Sequence, residues 1–248
     1  MAAYDETTYG ERWAPIYDDY FRIPKDTEQT VAFLAERVGS GRALELAIGT
    51  GRIALPLAHR GVSVAGIDSS PKMVARLQEK PGGAEIPVGL GNFADVRVDG
   101  TFTLIFVVWN TFFALPSAED QRRCFQNVAA HLTDDGLFVI EAFVPDLTRF
   151  DRGQRVEVSN LGPDQVWFET SIHDSVRQRM LVQHVRISEQ GIKLYPVELR
   201  YAWPHELDLM AELAGLALAE RWGGWAGEPF TAASLRHVSV YQKAGGDR

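Results

Sequence analysis

The stretch Ala43-LELAIGTGRIALPLAHRGVSVAGIDS-Ser70 decides the fold. "RALELA" is an apolar run of strand length, Gly49-Thr50-Gly51 is a turn, and an apolar helical segment follows. "VSVAGI" is a second strand and Asp68 closes it. Strand, glycine turn, helix, strand and terminal carboxylate together outline a nucleotide-binding βαβ unit. Gly49, Gly51 and Ala54 satisfy G-x-G-x-x-[GA], and Asp68 lies 19 residues after Gly49. By spacing alone this fits a dinucleotide fingerprint with Asp68 on a ribose. Glu45 argues otherwise. It sits four residues before Gly49, where a carboxylate would repel a pyrophosphate. A cofactor without phosphate and with a cationic ammonium group would welcome it.

Outward from this unit the chain alternates. An amphipathic helix is expected over Thr27–Val38, with Asp26 and Gln29 spaced as a capping box. After Asp68 come the helix "PKMVARLQEK", with Pro71 in its first turn, the short strand "EIPVGL" and the long apolar strand "FTLIFVVW". A helix over Ala118–Leu132, capped by Ser117, precedes the strand "GLFVIEAF". Apolar strands separated by helices imply a buried parallel sheet with helices on both faces. After Pro145 the period changes to two. "QVWFETSIHDSVRQRMLVQHVRISEQGIKLYPVELRYAW" predicts an antiparallel meander of about three strands, with turns at Asp174-Ser175 and Gln190-Gly191. Pro196 places its last strand at an edge. The tail returns to helix "HELDLMAELAGL" and strands "ALAERW" and "RHVSVYQK". The expected units are an aromatic and helical N-terminal cap (1–38), a core (39–150 and 203–248) and an antiparallel β insertion (151–202) roofing the site.

The 248 residues are 46% hydrophobic, enough to bury a core without disulfides or structural metal. One cysteine, Cys124, lies in an apolar periodic stretch and reads as packing. Net charge is −8 with no Lys/Arg run, which disfavours nucleic acid and favours a small-molecule partner. No apolar run reaches membrane-spanning length, and "MAAYDETTYGERW" lacks the regions of a signal peptide. The expected location is cytoplasmic and the expected state monomer or homodimer. No His/Asp/Glu set has metal-ligand spacing, and "HELDLMAEL" has no second His for zinc, so no metal is expected.

Six segments in order resemble the motifs of class I S-adenosylmethionine-dependent methyltransferases. They are Glu45-Leu-Ala-Ile-Gly49-Thr-Gly51, "GIDSSPKMV", "GNFADV", "FTLIFVVWNTFFAL", "HLTDDGLFVIEAF" and "PFTAASLRHVSVYQK". Ala47 stands for the motif's first glycine, and Asn92 for the usual Asp. The aromatic front and the insertion are similar to antibiotic-sugar N-methyltransferases and relatives of glycine N-methyltransferase. The resemblance implies a Rossmann-like sheet of seven mostly parallel strands, the last antiparallel. It implies methyl transfer from S-adenosylmethionine to N or O of a small molecule, as in natural-product biosynthesis, releasing S-adenosylhomocysteine.

It also implies roles. Glu45, Ala47, Gly49, Thr50 and Gly51 would approach the cofactor's methionine end, with Tyr17 and Arg22 beside it. Asp68 would hold the ribose hydroxyls, and Ser69, Met73, Asn92 and Phe93 would surround adenine. Trp109 would sit where donor and acceptor meet. Tyr9, Trp13, Tyr20, Asn110, Phe112 and Trp167 would face the acceptor. Methyl transfer needs proximity, alignment and a dry pocket rather than a nucleophilic residue. If a proton must leave the acceptor, Glu141, His173 and Asn110 are the leading catalytic candidates, with His184, His205 and Asp146 behind them. "WNTFFALP" lacks Asp/Asn-Pro-Pro-Tyr, which excludes the families acting on nucleobase or glutamine amino groups. The residues leave open an NAD(P)-dependent oxidoreductase and a non-catalytic protein that binds S-adenosylmethionine.

Overall fold

The computed structural model describes residues 4–21 and 26–245. Three helices come first: α1 (Thr8–Trp13), α2 (Tyr17–Tyr20) and α3 (Thr27–Val38). The alternating core follows as β1 (Arg42–Leu46), α4 (Ala54–His59), β2 (Ser63–Asp68), α5 (Pro71–Gln78), β3 (Val88–Leu90), β4 (Phe102–Val107), α6 (Ala118–His131) and β5 (Leu132–Phe143). Four strands make the insertion: β6 (Gln154–Leu161), β7 (Gln165–Asp174), β8 (Arg179–Ser188) and β9 (Gly191–Arg200). The chain ends in α7 (Pro204–Leu213), β10 (Leu216–Trp222) and β11 (Arg236–Lys243).

β1 to β5 pair in parallel, and β11 enters antiparallel to β5, giving the order β10-β11-β5-β4-β1-β2-β3. This is the Rossmann-like α/β class the sequence predicts. β1, β4 and β5 are buried on both faces, which is why they read as nearly unbroken apolar runs. One core holds α6 and α7 on one side of the sheet, with Phe112, Phe125 and Phe138. The other holds α3 and α4 on the opposite side, with Leu34, Ile53 and Phe106. Cys124 is fully buried in the first core, and burial drives its thiol pKa well up, so it is packing.

Local signals work where no stronger partner competes. Ser117 Oγ accepts from Asp120 N at 3.0 Å, and Ser70 Oγ accepts from Met73 N with Pro71 in the first turn. The capping box at α3 does not form. Asp26 makes no side-chain cap bond because its carboxylate pairs with Arg236 across the sheet edge. A charge-assisted pair outweighs a backbone cap. The second sheet has four strands, β6-β7-β8-β9, rather than three. β6 alternates Arg155, Val156, Glu157, Val158 and then bulges between Val158 and Asn160, which breaks the period early. β9, with Pro196, is an edge as expected. No helix among the described residues is long and apolar enough to cross a membrane.

Replacing the Ser117 cap tests the register of α6. Ser117→Ala removes one acceptor from the first turn and should cost about 1 kcal/mol. A thermal melt should then show the midpoint about 2–4 °C lower.

Candidate active site

Parallel strands leave their C-terminal ends along one sheet edge, and each must turn away sharply. After β1 the turn uses left-handed backbone at Ala47 (φ 58°), Gly49 (φ 58°) and Gly51 (φ 82°). At Gly51 a Cβ would also lie 2.3 Å from the end of the Leu77 side chain, and the left-handed backbone is what calls for glycine. Asp68, ending β2, accepts from Gly49 N and from Ser70 N, both at 2.8 Å. Two bonds leave lone pairs free on the same carboxylate. Burial raises the Asp68 pKa, and the two backbone donors oppose that rise.

Glu45 lies in β1 beside the turn, and burial pushes its pKa up to about 8 against the pull of Arg52 and an Ala54 N–H. Its Oε2 is buried with no hydrogen-bond partner. A carboxylate oxygen left unpaired in this way costs free energy until a donor or cation reaches it. The slot in front of it, about 30 Å³, is lined by Tyr17, Glu45, Ala47, Gly49, Arg52 and Trp109 among others. That volume holds about one water.

After β4 comes a second tight turn. Trp109 (φ 58°) and Asn110 (φ 62°) are consecutive non-glycine residues in left-handed backbone. Glu141 of β5 accepts from Trp109 N through its side chain, and its carbonyl accepts from Asn110 N. Asn110 Oδ1 accepts from Phe143 N at 2.6 Å. The Arg52 guanidinium lies 4.0 Å above the Trp109 ring. Trp109 also lines a cavity of about 940 Å³. Tyr20, Phe21 and Trp167 make its aromatic wall, and Asp19, Asn160, Gln165 and Arg186 bring polar atoms to it.

The N-terminal helices are stapled to the turns. Thr50 Oγ1 donates to Asp18 at 2.7 Å, and Lys80 bridges Asp18 and Thr50 O. Ser69 Oγ donates to Glu6 O, Asn92 Nδ2 donates to Glu6 Oε2, and Lys72 pairs with Glu11. Gly10 sits so near Ser70 that a Cβ would come within 2.2 Å of it.

Comparison with known proteins gives the chemistry. Residues 43–136 match the methyltransferase domain family, the segment holding both turns. The solved structure of the CcbJ methyltransferase from Streptomyces caelestis is 38% identical, with a TM-score of 0.92, over 98% of this chain and all of that one. The chain belongs to the class I S-adenosylmethionine-dependent methyltransferases. The cypemycin N-terminal methyltransferase of a Streptomyces species is 27% identical across 96% of this chain and 99% of its own. CalS10, an amino pentose methyltransferase from Micromonospora echinaspora, shares the fold at 19% identity and a TM-score of 0.69, over 98% of this chain and 99% of that one. The oxidoreductase reading falls with this membership, as the buried Glu45 required.

In this methyltransferase the predicted donor residues Glu45, Ala47, Gly49, Thr50, Gly51, Asp68 and Tyr17 converge at one sheet edge. Ser69 and Asn92 lie beside them, both held by Glu6. Met73 is buried against the aromatic cluster around Trp13, and Phe93 in the core beside the sheet. Arg22 lies outside the described residues. Tyr20 and Trp167 reach the large cavity. Tyr9 does not line it; Asp68 and Arg52 are among the charges that act on its hydroxyl. Trp13 is fully buried and packs on Trp167 and Tyr195. Phe112 is a core residue against Phe125, because the turn after Asn110 sends it inward.

His173 bonds to the Tyr201 hydroxyl and stacks on Phe150, away from the cavity. Glu141 is occupied by the Trp109 turn. His184 is packed against Trp13, and the His205 side chain is almost wholly exposed. The sequence reading missed Arg52, Asp18, Lys80 and Arg186. Arg52 had one available signal, its place next to Gly51 inside the glycine turn. The others are long-range partners with no local pattern.

Two results test this geometry. Ala47 has a Cβ where left-handed backbone prefers none, so Ala47→Gly should stabilise the enzyme by about 0.5–1 kcal/mol. Its melting midpoint should rise by about 1–4 °C. Glu45 is held protonated up to about pH 8 in this structure. The folded state therefore binds more protons than the unfolded state between the ordinary Glu pKa and 8, and this group's contribution to stability falls as pH rises through that window. A cationic ligand favours ionised Glu45. Titration calorimetry with S-adenosylhomocysteine should show tighter binding at pH 8 than at pH 6, with proton release, and Glu45→Gln should abolish that proton release.

Proposed function

We propose that this methyltransferase moves the methyl group of S-adenosylmethionine to an N or O atom of a small molecule bound in the 940 Å³ cavity. One observation carries the reading: Trp109 lines both that cavity and the slot in front of Glu45. The donor and acceptor sites then adjoin at Trp109, beside which the acceptor atom can reach the methyl group directly.

S-adenosylmethionine supplies a methyl group already activated on a sulfonium, so the protein's task is placement. Glu45 balances positive charge at the methionine end. Gly49 and Gly51 admit the close approach of backbone. Asp68, fixed by two backbone donors, offers its remaining lone pairs to the ribose hydroxyls. Met73, Asn92 and Phe93 border the adenine, and Asn92 does so by hydrogen bonding without charge. The stapled N-terminal helices and the β6–β9 sheet close the site against water, which strengthens every electrostatic contact inside.

On the acceptor side, Tyr20, Phe21 and Trp167 suit an apolar or planar body, while Asp19 and Arg186 suit polar ends. No histidine lines the cavity among the described residues, and Asp19 is its one carboxylate. An amine that reaches the site uncharged attacks without a protein base, so nitrogen fits this wall better than a hydroxyl does. The name of one relative points the same way: it methylates an N-terminus. Glu141 and Asn110 serve here as positioning residues for Trp109, not as bases.

Calorimetry against S-adenosylhomocysteine, with NAD(H) in parallel, tests the donor half. Saturable binding of the first alone is expected, and Asp68→Ala should weaken it at least tenfold. Unchanged binding by the variant would sink the assignment of Asp68. Binding of NAD(H) alone would sink the reading as a whole.

A further inference from the structure

Arginines of the β6–β9 sheet that are drawn out of water meet an acid. Arg155 pairs with Glu157, Arg179 with Glu198 and Arg200 with Glu206. Arg186 of β8 is the exception. It is half-buried, and it has no carboxylate partner among the described residues. Its Nε donates to Gln165 Oε1 at 2.9 Å, and its guanidinium lies 5.6 Å from the centre of the Trp167 ring. Its charge also acts on the Tyr195 hydroxyl. Glu169, the next residue on the same face of β7 after Trp167, lies 3.9 Å from His184 instead. Lys193 of β9 stands directly opposite Arg186 and is likewise without an ion pair among the described residues. Two cations opposed across neighbouring strands destabilise a sheet unless something of opposite charge joins them. Gln165, Trp167 and Arg186 all line the 940 Å³ cavity.

We propose that Arg186 binds a carboxylate on the acceptor, so that the molecule methylated is an amine that also carries an acid. This rests on the reading of the large cavity as the acceptor site. The bond from Nε to Gln165 fixes the plane of the guanidinium, and the two-pronged end of an arginine so held matches the two oxygens of a carboxylate. A cation partly stripped of water and left without a counter-charge costs free energy, which an anionic ligand offsets. In a chain of net charge −8 an anion is drawn only where cations collect, and Arg186 and Lys193 collect here. Asp19 shares the same cavity and counts against a dianion, so a carboxylate suits this wall better than a phosphate. Tyr20, Phe21 and Trp167 then take the apolar body between the acid on Arg186 and the amine at Trp109.

Titration calorimetry on the full chain, with and without S-adenosylhomocysteine, tests this. The probes are benzoate, phenylacetate, 3-phenylpropionate and indole-3-acetate, each beside its primary amide, and phenyl phosphate. At least one acid is expected to bind tenfold or more tighter than its amide. Arg186→Gln should erase that preference and leave the affinity for S-adenosylhomocysteine unchanged. Arg186→Lys keeps the charge and loses the fork, so its preference should fall between the two. If the glutamine variant fails to fold, the lysine variant decides, and a preference equal to wild type overturns the proposal. Absence of any acid bound tighter than its amide overturns it, as does a preference that survives Arg186→Gln. Phenyl phosphate bound tighter than every acid assigns the wall to phosphate and overturns it too. Binding of S-adenosylhomocysteine without an acid preference removes this inference alone. An acid preference that depends on Arg186, with no binding of S-adenosylhomocysteine, keeps the carboxylate site and removes the reading as a methyl-transfer cavity.

Discussion

The carboxylate of Asp68 holds the ends of two strands together, and much else follows from where it points. One oxygen takes the N–H of Gly49 and so fixes the turn after β1. The other takes the N–H of Ser70, whose hydroxyl then caps α5. Gly10 rests on Ser70, so the seat of the N-terminal helices depends on the same residue. A buried acid with two backbone donors is well satisfied, and its spare lone pairs face the site.

The turn after β4 obeys a different logic. Trp109 and Asn110 occupy backbone that costs about 1–3 kcal/mol at each non-glycine residue. Three hydrogen bonds, from the side chain and carbonyl of Glu141 and from Asn110 Oδ1, hold them there. The strain falls on Trp109, which lines both cavities, and on its neighbour Asn110. Glycine would relieve the backbone there and remove the indole. The turn keeps the indole and offsets the strain with neighbours drawn from β5.

The parallel core was legible because buried strands and their caps write themselves locally, as "FTLIFVV" and Ser117 show. The glycine turn was legible for the same reason, and the charge of Glu45 argued against a pyrophosphate there, while the cofactor itself came from the resemblance of six ordered motifs. What stayed hidden depends on tertiary partners. Glu141 looked like a base because it ends a strand at the rim; only the fold shows the backbone it holds. Asp26 looked like a cap until Arg236 arrived from 210 residues away. Phe112 looked like a pocket residue because its neighbour Trp109 is one. A turn of two left-handed residues reverses the direction of the chain between them, and the sequence carries no glycine to announce it.

The two cavities draw their walls from different stretches of chain. The slot by Glu45 is made by the core turns with Tyr17. The large cavity is made by β6, β7, β8 and the residues around Tyr20, and among the described residues Trp109 is the one common to both. Drift in the inserted sheet can therefore reshape what the enzyme accepts while leaving donor recognition intact. Drift at Trp109 has no such freedom, because a change there is felt on both sides at once. The architecture separates an invariant reagent from a variable client, and it confines the dependence between them to one indole ring.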